Sequence, residues 1–176
     1  MARLRKAISY RRLERPYTRL SKFKSKSYIK TSYNTRITKF IMGDPKATFD
    51  YTVKLITKND IQIRDNSMES ARLASNRLLE KNAGASAYML RIKKYPHHIL
   101  RNNPIASGAG ADRFSTGMKK SFGKPIGQAA RFKRGDEVIE IKINKKNLDV
   151  AKSALKRASQ KLATSCAIKI VENEHK

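Results

Sequence analysis

The chain of 176 residues carries 40 Lys and Arg against 14 Asp and Glu, a formal net charge of +26 at pH 7. Such a charge attracts polyanions, and no apolar run approaches the roughly 20 residues of a membrane span, so we expect nucleic acid rather than a membrane as the partner. The single cysteine excludes an intramolecular disulfide framework and favours a reducing, cytoplasmic setting.

Residues 1–43 are predicted to form a basic N-terminal extension. Residues 1–40 hold 13 Lys and Arg and one acid, Glu14, and this charge density leaves too little apolar surface for the segment to order itself alone. It lacks the apolar core of a secretory signal, although an Arg-rich transit peptide fits its composition. We expect its cations to face phosphate groups. They include Arg3, Arg5, Lys6, Arg11, Arg12, Arg15, Arg19, Lys22, Lys24 and Lys26.

Aromatic residues are interleaved with these charges. Their rings can stack on the unpaired bases of folded RNA while neighbouring cations neutralise phosphates. They can equally pack back onto the protein's own domain, and the sequence leaves both interpretations open. The six residues are Tyr10, Tyr17, Phe23, Tyr28, Tyr33 and Phe40.

Residues 44–176 are predicted to form a single α+β domain, with two helices packed on a mixed or antiparallel sheet. In FDYTVKLIT, Tyr51, Val53 and Leu55 alternate with polar residues, which is the period of a half-buried strand. Ile61 and Ile63 predict a continuation of this strand after a short turn.

Two amphipathic helices are predicted. The first begins at Asn66, which forms a capping-box spacing with Glu69, and ends at Gly84. The second spans about residues 147–163. Its apolar face comprises Leu148, Ala151, Leu155, Ala158 and Leu162.

Further strands are predicted on either side of the second helix. AYMLRIKKY has a strand-like alternation that ends at Pro96, and QAARFKRGDEVIEIKI indicates a hairpin that turns at residues 134–136. Residues 167–171 predict a short final strand, with Cys166 as a small buried hydrophobe at its start.

Residues 102–127 contain five of the eight glycines and no regular hydrophobic period, which predicts a long functional loop. Apolar residues are spread through the segment, so it is not a purely solvated linker. We expect its return leg to be anchored to the domain and residues 102–113 to be mobile. The predicted anchors are Phe114, Met118, Phe122 and Ile126.

The loop approaches two nucleotide-binding motifs without satisfying either. A dinucleotide fingerprint starting at Gly108 and Gly110 has Arg113 where a third small residue is required. A phosphate-binding P-loop has one residue too many before Gly123, and Pro125 replaces the magnesium-binding Ser or Thr. Binding therefore accounts for more of the loop's residues than nucleotide chemistry does.

His97 and His98 are adjacent, so in an extended strand their rings point to opposite faces and cannot share a metal ion. Together with Arg101 they are candidates for contacts with phosphate or base edges. A histidine satisfied by a backbone carbonyl is the alternative at each position. No spacing typical of a metal site or a nucleophilic triad accompanies them.

The run AGADRFSTGMKKSFGKPIGQAAR, with YPHHILRNN before it and SARLASNRLLEK earlier, resembles the L ten-e family of large ribosomal subunit proteins. These are the archaeal and eukaryotic counterparts of bacterial L sixteen, and the resemblance covers residues 44–171. It implies an α/β-hammerhead-type fold near the central protuberance, with large-subunit rRNA, tRNA and neighbouring ribosomal proteins as partners. It also implies a protein without catalysis, cofactor, metal, membrane or small-molecule substrate.

The same resemblance assigns roles to residues. It implies rRNA contacts by the cations of the extension named above, and by His97, His98, Arg101, Lys119, Lys120 and Lys124. It also implies that the loop reaches towards tRNA and the peptidyl-transferase centre, with Arg113 as the principal residue. The residues expected beside tRNA are Asn102, Asn103, Ser107, Gly108, Gly110, Asp112 and Arg113.

Two other functional classes fit part of the sequence. A free-standing RNA-modifying or tRNA-processing enzyme would use the loop as its active site, with Asp112 or His98 in the chemistry. A basic DNA-compacting protein fits the charge but leaves the loop unexplained.

Overall fold

The computed structural model describes residues 5–13, 22–26, 29, 34–103, 108–110 and 123–173. Within these ranges the regular elements are β1 (Ile41–Gly43), β2 (Tyr51–Thr57), β3 (Ile61–Arg64), α1 (Asp65–Ala83), β4 (Tyr88–Ile92), β5 (His98–Asn102), β6 (Lys124–Phe132), β7 (Glu137–Ile143), α2 (Leu148–Ser159) and β8 (Cys166–Glu172). Short 3-10 turns occupy Ala7–Ser9, Lys24–Lys26 and Lys145–Asn147.

The strands form two antiparallel sheets. One has five strands in the order β1-β4-β7-β2-β8, and the other has three in the order β3-β6-β5. The two helices pack against each other; α2 also contacts β2, β7 and β8, whereas α1 contacts β3, β4 and β6. This arrangement confirms the predicted α+β class with two helices on antiparallel sheet.

The main core lies between the helices and the five-stranded sheet, and four residues of β3 and β6 also join it. Val53, Leu55, Leu90, Ile141 and Leu155 are all fully buried there, because alternate strand positions and one helix stripe face the same interior. The three-stranded sheet has only a small apolar cluster of its own, made by residues from the N-terminal segment, β5 and β6. Its members are Tyr10, Leu100 and Ala129.

The predicted hairpin between β6 and β7 is wrong. The turn at residues 134–136 is present, but β6 pairs with β3 and β5, whereas β7 pairs with β2 and β4. The turn is fastened to the end of β2: the Gly135 N–H donates to the Thr57 carbonyl at 2.9 Å, and the Thr57 N–H donates to the Asp136 carbonyl at 3.0 Å. The chain therefore passes from one sheet to the other at this point.

The prediction that residues 61–63 continue β2 after the turn at residues 58–60 is also wrong, because they belong to a separate strand in the other sheet. Ile61 and Ile63 do form a strand, but β3 pairs with β6 in the three-stranded sheet. Both corrections have one physical cause: alternation along a strand reports burial of a face and does not report which neighbour supplies the hydrogen bonds.

Helix α1 begins one residue before the predicted position and has no capping box. Its N-cap residue, Arg64, makes no side-chain cap bond. Instead the Asp65 carboxylate accepts the N–H groups of Asn66 at 2.8 Å and of Arg36 at 3.3 Å. Glu69 pairs with Arg72 at 2.5 Å, and this ion pair holds the pKa of the Glu69 carboxyl below its ordinary value.

The helix ends and the remaining strands largely follow the sequence. Gly84 terminates α1 with a φ of +90°, which favours glycine, and its N–H donates to the Glu80 carbonyl at 3.2 Å. Helix α2 has the predicted buried face but ends at Ser159, before the predicted limit. The strands in AYMLRIKKY and at the C-terminal end are confirmed. Cys166 is half-buried rather than buried, and desolvation raises the pKa of its thiol.

Two boundaries of the predicted loop are corrected. Asn102 is the last residue of β5, and residues 124–127 belong to β6. Ile126 is 41% exposed and does not anchor the return leg. The other three expected anchors, Phe114, Met118 and Phe122, lie outside the described residues.

Candidate nucleic-acid interface

The three-stranded sheet brings the two ends of the loop together. Strands β5 and β6 pair antiparallel from His98 opposite Ala129 to Asn102 opposite Lys124, with a register shift after Leu100. Gly123 closes the loop beside Asn102 with a φ of +78°, and a Cβ atom at this position would lie 2.9 Å from the Asn102 carbonyl carbon. A side chain at position 123 would therefore disturb the base of the loop.

The N-terminal segment docks on the same sheet. The Gln62 N–H donates to the Arg11 carbonyl at 3.0 Å, and the Arg64 Nη1 donates to the Arg5 carbonyl at 2.9 Å. The Arg64 guanidinium also lies 5.8 Å from the centre of the Tyr10 ring, within the range of a cation–π contact. The extension and the loop base, which are far apart in sequence, thus share one three-stranded platform.

His98 lies inside this platform rather than on its surface. His98 is 4% exposed. Burial, reinforced by the charges of Arg131 and Arg101, lowers the pKa of its imidazole to about 4. The ring is therefore neutral at physiological pH. The position suits a residue that supports the sheet, and a direct contact of His98 with RNA stays a prediction.

Unlike the buried His98, His97 lies just before β5 and is exposed. Its ring is 4.7 Å from Tyr95, which in turn stacks on Phe40 at 5.5 Å with an interplanar angle of 25°. Tyr95 is 42% exposed. Sequence reasoning missed this three-ring cluster because Phe40 and Tyr95 come from distant parts of the chain and share no local motif.

The described aromatic residues of the extension differ in their packing, and stacking of any of them on RNA bases stays a prediction. Tyr10 is 8% exposed and packs onto Leu100 and Ala129, and Phe40 packs onto Tyr95. Phe23 is 56% exposed, with the ammonium groups of neighbouring lysines 5.6 and 5.2 Å from its ring centre. Tyr17, Tyr28 and Tyr33 lie outside the described residues.

Many of the predicted phosphate-binding cations are on the surface. The exposed ones are Arg5, Lys6, Arg11, Arg12, Lys22, Lys26 and Lys124, whereas Arg101 is half-buried. Lys24 lies in a 3-10 turn, and the position of its side chain is outside the description. The predicted cations Arg3, Arg15, Arg19, Lys119 and Lys120 lie outside the described residues.

The residues expected beside tRNA are described in part. Asn102 and Asn103 are half-buried at the loop base. Gly108 and Gly110 are exposed and have φ angles of +132° and +81°. Ser107, Asp112 and Arg113 lie outside the described residues, so the tip of the loop stays a prediction.

Within the described ranges, no group of three or more His, Cys, Asp or Glu side chains could hold a metal ion. Neither α1 nor α2 combines the length and apolar character that a membrane-crossing helix requires. The described surface has exposed cations, a cluster of three rings just before β5, and a basic segment docked on the three-stranded sheet, a combination suited to binding a polyanion with unpaired bases.

Comparison with known proteins identifies the family. The family described as ribosomal protein L16p/L10e matches residues 14–169. The large ribosomal subunit protein uL16 of Methanococcus maripaludis is 43% identical over 172 residues, covering 97% of this chain and 96% of that protein. The uL16 proteins of Archaeoglobus fulgidus, 43% identical over 96% of the chain and 93% of that protein, and of Hyperthermus butylicus, 41% identical over 89% and 83%, are also similar. The chain belongs to the ribosomal protein L16p/L10e family and has the structural role of a ribosomal protein.

Proposed function

We propose that the protein is a constituent of the large ribosomal subunit that binds large-subunit rRNA near the central protuberance. In this proposal the loop of residues 102–127 extends beside tRNA, close to the peptidyl-transferase centre. The names of the archaeal relatives, which are all large ribosomal subunit proteins, support the assignment to this subunit.

The observation that carries the rRNA-binding part is the joint use of the three-stranded sheet by the extension and the loop base. Its strands contain the four cations Arg64, Arg101, Lys124 and Arg131 and no Asp or Glu. The docked segment adds the exposed Arg11. A surface with this imbalance is stabilised when phosphates replace its counterions.

Sedimentation tests the assignment to the subunit. A tagged copy expressed in an archaeal host should co-sediment with large subunits in about equal molar amounts on a sucrose gradient. Recovery of the protein only at the top of the gradient would contradict the proposal and would favour the free-standing enzyme instead.

Salt dependence tests the phosphate contacts. If about eight cations contact phosphate, the logarithm of the affinity for a large-subunit rRNA fragment should fall with the logarithm of salt concentration with a slope of about −6 to −7. A slope near zero would show that binding does not depend on phosphate charge.

The tRNA contact is tested with a matched pair of arginines. Arg113→Ala should enter subunits normally but weaken tRNA binding and slow peptide synthesis. Arg134→Ala removes the same charge from the turn that follows the other end of β6 and should leave both unchanged. Failed subunit incorporation with normal tRNA binding in Arg113→Ala would refute the loop's assigned role.

A further inference from the structure

A second basic surface lies between the C-terminal ends of the two helices. There α1 and α2 form a groove of about 580 Å³, with the half-exposed and buried side chains of Ala74 and Leu78 at its floor. Four cations line it: Arg77 and Lys81 from α1, Arg157 from the last turn of α2, and Lys161 from the turn that follows α2. We call this feature the helix groove. None of its residues was selected as a binding residue from the sequence.

No carboxylate in the described part of the chain forms an ion pair with the cations of the helix groove. All four residues are exposed, and no acidic side chain lines the groove. Among the described residues, carboxylates pair with Lys54, Arg72, Lys93, Lys94 and Lys152 but with none of these four. The groove is therefore a concentration of positive charge that an external anion can balance.

The four cations of the helix groove are arranged along the groove rather than at one point. Arg77 and Lys81 are four residues apart in α1, so both lie on one face of that helix and their charges repel each other. This spacing separates them by about 6 Å along the helix axis. Arg157 lies in the last turn of α2, and Lys161 follows two residues after the end of this helix. Successive cations can then contact successive charges of a linear polyanion.

The chemistry of the lining favours an RNA backbone over a compact anion. The four cations are exposed on an open groove, whereas a small anion would be held by buried polar groups. The lining holds four cations and two amide side chains, Asn82 and Gln160. Groups that contact phosphates therefore outnumber those that could read base edges, which fits a contact dominated by the RNA backbone.

The helix groove is distant from the three-stranded sheet. Helix α1 starts at Asp65, directly after β3 and next to Arg64, which holds the docked segment. Arg77 and Lys81 follow 12 and 16 residues later, which places them about 18–24 Å further along the helix axis. The same short stretch of RNA strand would not occupy both surfaces.

We propose that the helix groove binds the phosphate backbone of a second RNA segment, so that the protein bridges two segments of rRNA. This inference rests on the proposed function, because it takes rRNA as the ligand. It adds a binding surface, its four residues and a bridging role to that function.

The test compares two double variants with equal loss of charge. Arg77→Gln/Arg157→Gln removes one cation from each side of the helix groove, whereas Lys145→Gln/Lys146→Gln removes two exposed cations at the other end of α2. With a large-subunit rRNA transcript, the groove variant should reduce the magnitude of the salt slope by about 1.4–1.8, which corresponds to two lost phosphate contacts. The control variant should not reduce it.

Hydroxyl-radical footprinting then separates the two surfaces. The groove variant should lose protection of one rRNA segment and keep the protection given by the extension, whereas the control should keep both. Equal footprints for wild type and groove variant, or the same loss in the control, would overturn the inference. Failure of the wild-type protein to protect any rRNA would instead contradict the proposed function. Unchanged urea midpoints, expected for exposed side chains, verify that both variants are folded.

Bridging itself is tested with the two protected segments as separate transcripts. When one is immobilised, the wild-type protein should retain the other, and the groove variant should not. Retention by the groove variant equal to that of wild type would refute bridging.

Discussion

The five-stranded and three-stranded sheets of this protein differ in what they bury. The first, with its two helices, encloses a continuous apolar core in which residues such as Leu55, Ile141 and Leu155 are fully buried. The second contributes four residues of β3 and β6 to that core, but it has a separate apolar cluster of only three residues and buries polar side chains, with Gln62 at 3% exposure and His98 at 4%. One sheet has the composition of a stable scaffold, whereas the other combines a core-facing side with polar and basic residues suited to a binding surface.

Their charges differ in the same way. The strands of the five-stranded sheet contain four Lys or Arg and three Glu, whereas the strands of the three-stranded sheet contain four Lys or Arg and no acid. In the first, Glu137 pairs with Lys54 at 2.8 Å and Glu140 with Lys93 at 2.5 Å. Charge is therefore nearly balanced in the five-stranded sheet, which must be stable alone, and unbalanced in the three-stranded sheet, where rRNA is proposed to bind.

The largest expected effect is a cavity in the scaffold. Leu155→Ala removes a fully buried side chain between α2 and the five-stranded sheet and should lower the free energy of unfolding by about 2–5 kcal/mol in urea denaturation. Ile126→Ala on the three-stranded sheet, where the side chain is 41% exposed, should change it by less than about 0.5 kcal/mol. Equal losses of unfolding free energy in the two variants would contradict the distinction between scaffold and binding surface.

The three-stranded sheet should instead make the free energy of unfolding depend on pH. The pKa of His98 is about 4 in the folded protein against an ordinary value of 6.5, so between these values the unfolded chain binds a proton that the folded chain does not. Stability is therefore complete above about pH 6.5 and falls as pH drops towards 4, by up to about 3 kcal/mol from this group. Urea unfolding between pH 7.5 and 4 measures the slope.

Two glutamine variants isolate the His98 contribution from that of the carboxyl groups. His98→Gln should flatten the dependence between pH 6.5 and 4, whereas His97→Gln, at the exposed neighbouring position, should retain it. Identical slopes for wild type and His98→Gln would show that burial beside Arg131 and Arg101 does not control this titration.

A smaller effect is expected for the ion pairs of the five-stranded sheet. Lys93→Met leaves the Glu140 carboxylate, whose side chain is 8% exposed, without its nearest cation, and should cost about 1–3 kcal/mol. Lys54→Met breaks a pair whose side chains are both 27% exposed and should cost less than about 1 kcal/mol. Thermal or urea unfolding of both variants checks the order, and a reversed order would contradict the role assigned to burial.

Sequence predicted elements better than it predicted their pairing. The period of β2, the buried stripe of α2 and the stop at Gly84 are local signals, and each is found in the structure. The β6–β7 hairpin was predicted from a turn and two alternating runs, but the hydrogen bonds from Thr57 to that turn direct the strands into different sheets. Such a bond joins distant residues and leaves no local pattern.

For the candidate site, too, the sequence predicted the segments but not the contacts between them. Charge and glycine content located the extension and the loop, but the platform that unites them depends on contacts such as Arg11 with Gln62. The helix groove combines two cation pairs about 80 residues apart in the chain. Each pair alone has the pattern of ordinary solvated surface, and only the packing of α1 on α2 brings the two pairs together.

The smallest expected effect concerns the attachment of the extension to its platform. Arg64 donates a hydrogen bond to the Arg5 carbonyl and lies over the Tyr10 ring, so Arg64→Met should weaken docking by about 0.5–1.5 kcal/mol. Because the Gln62 N–H donates to the Arg11 carbonyl, hydrogen exchange of this amide reports docking directly. Its exchange should accelerate about 2- to 12-fold in the variant.

The Thr57 amide is the internal reference for that experiment, because it donates to Asp136 in the turn fastened to the five-stranded sheet. Its protection should be nearly unchanged in Arg64→Met, since the scaffold does not depend on the docked segment. If both amides lost protection equally, the three-stranded sheet would be part of one cooperative unit with the scaffold. Selective loss at Gln62 would instead mean that the platform can release the extension while the fold persists, leaving its cations free to follow rRNA.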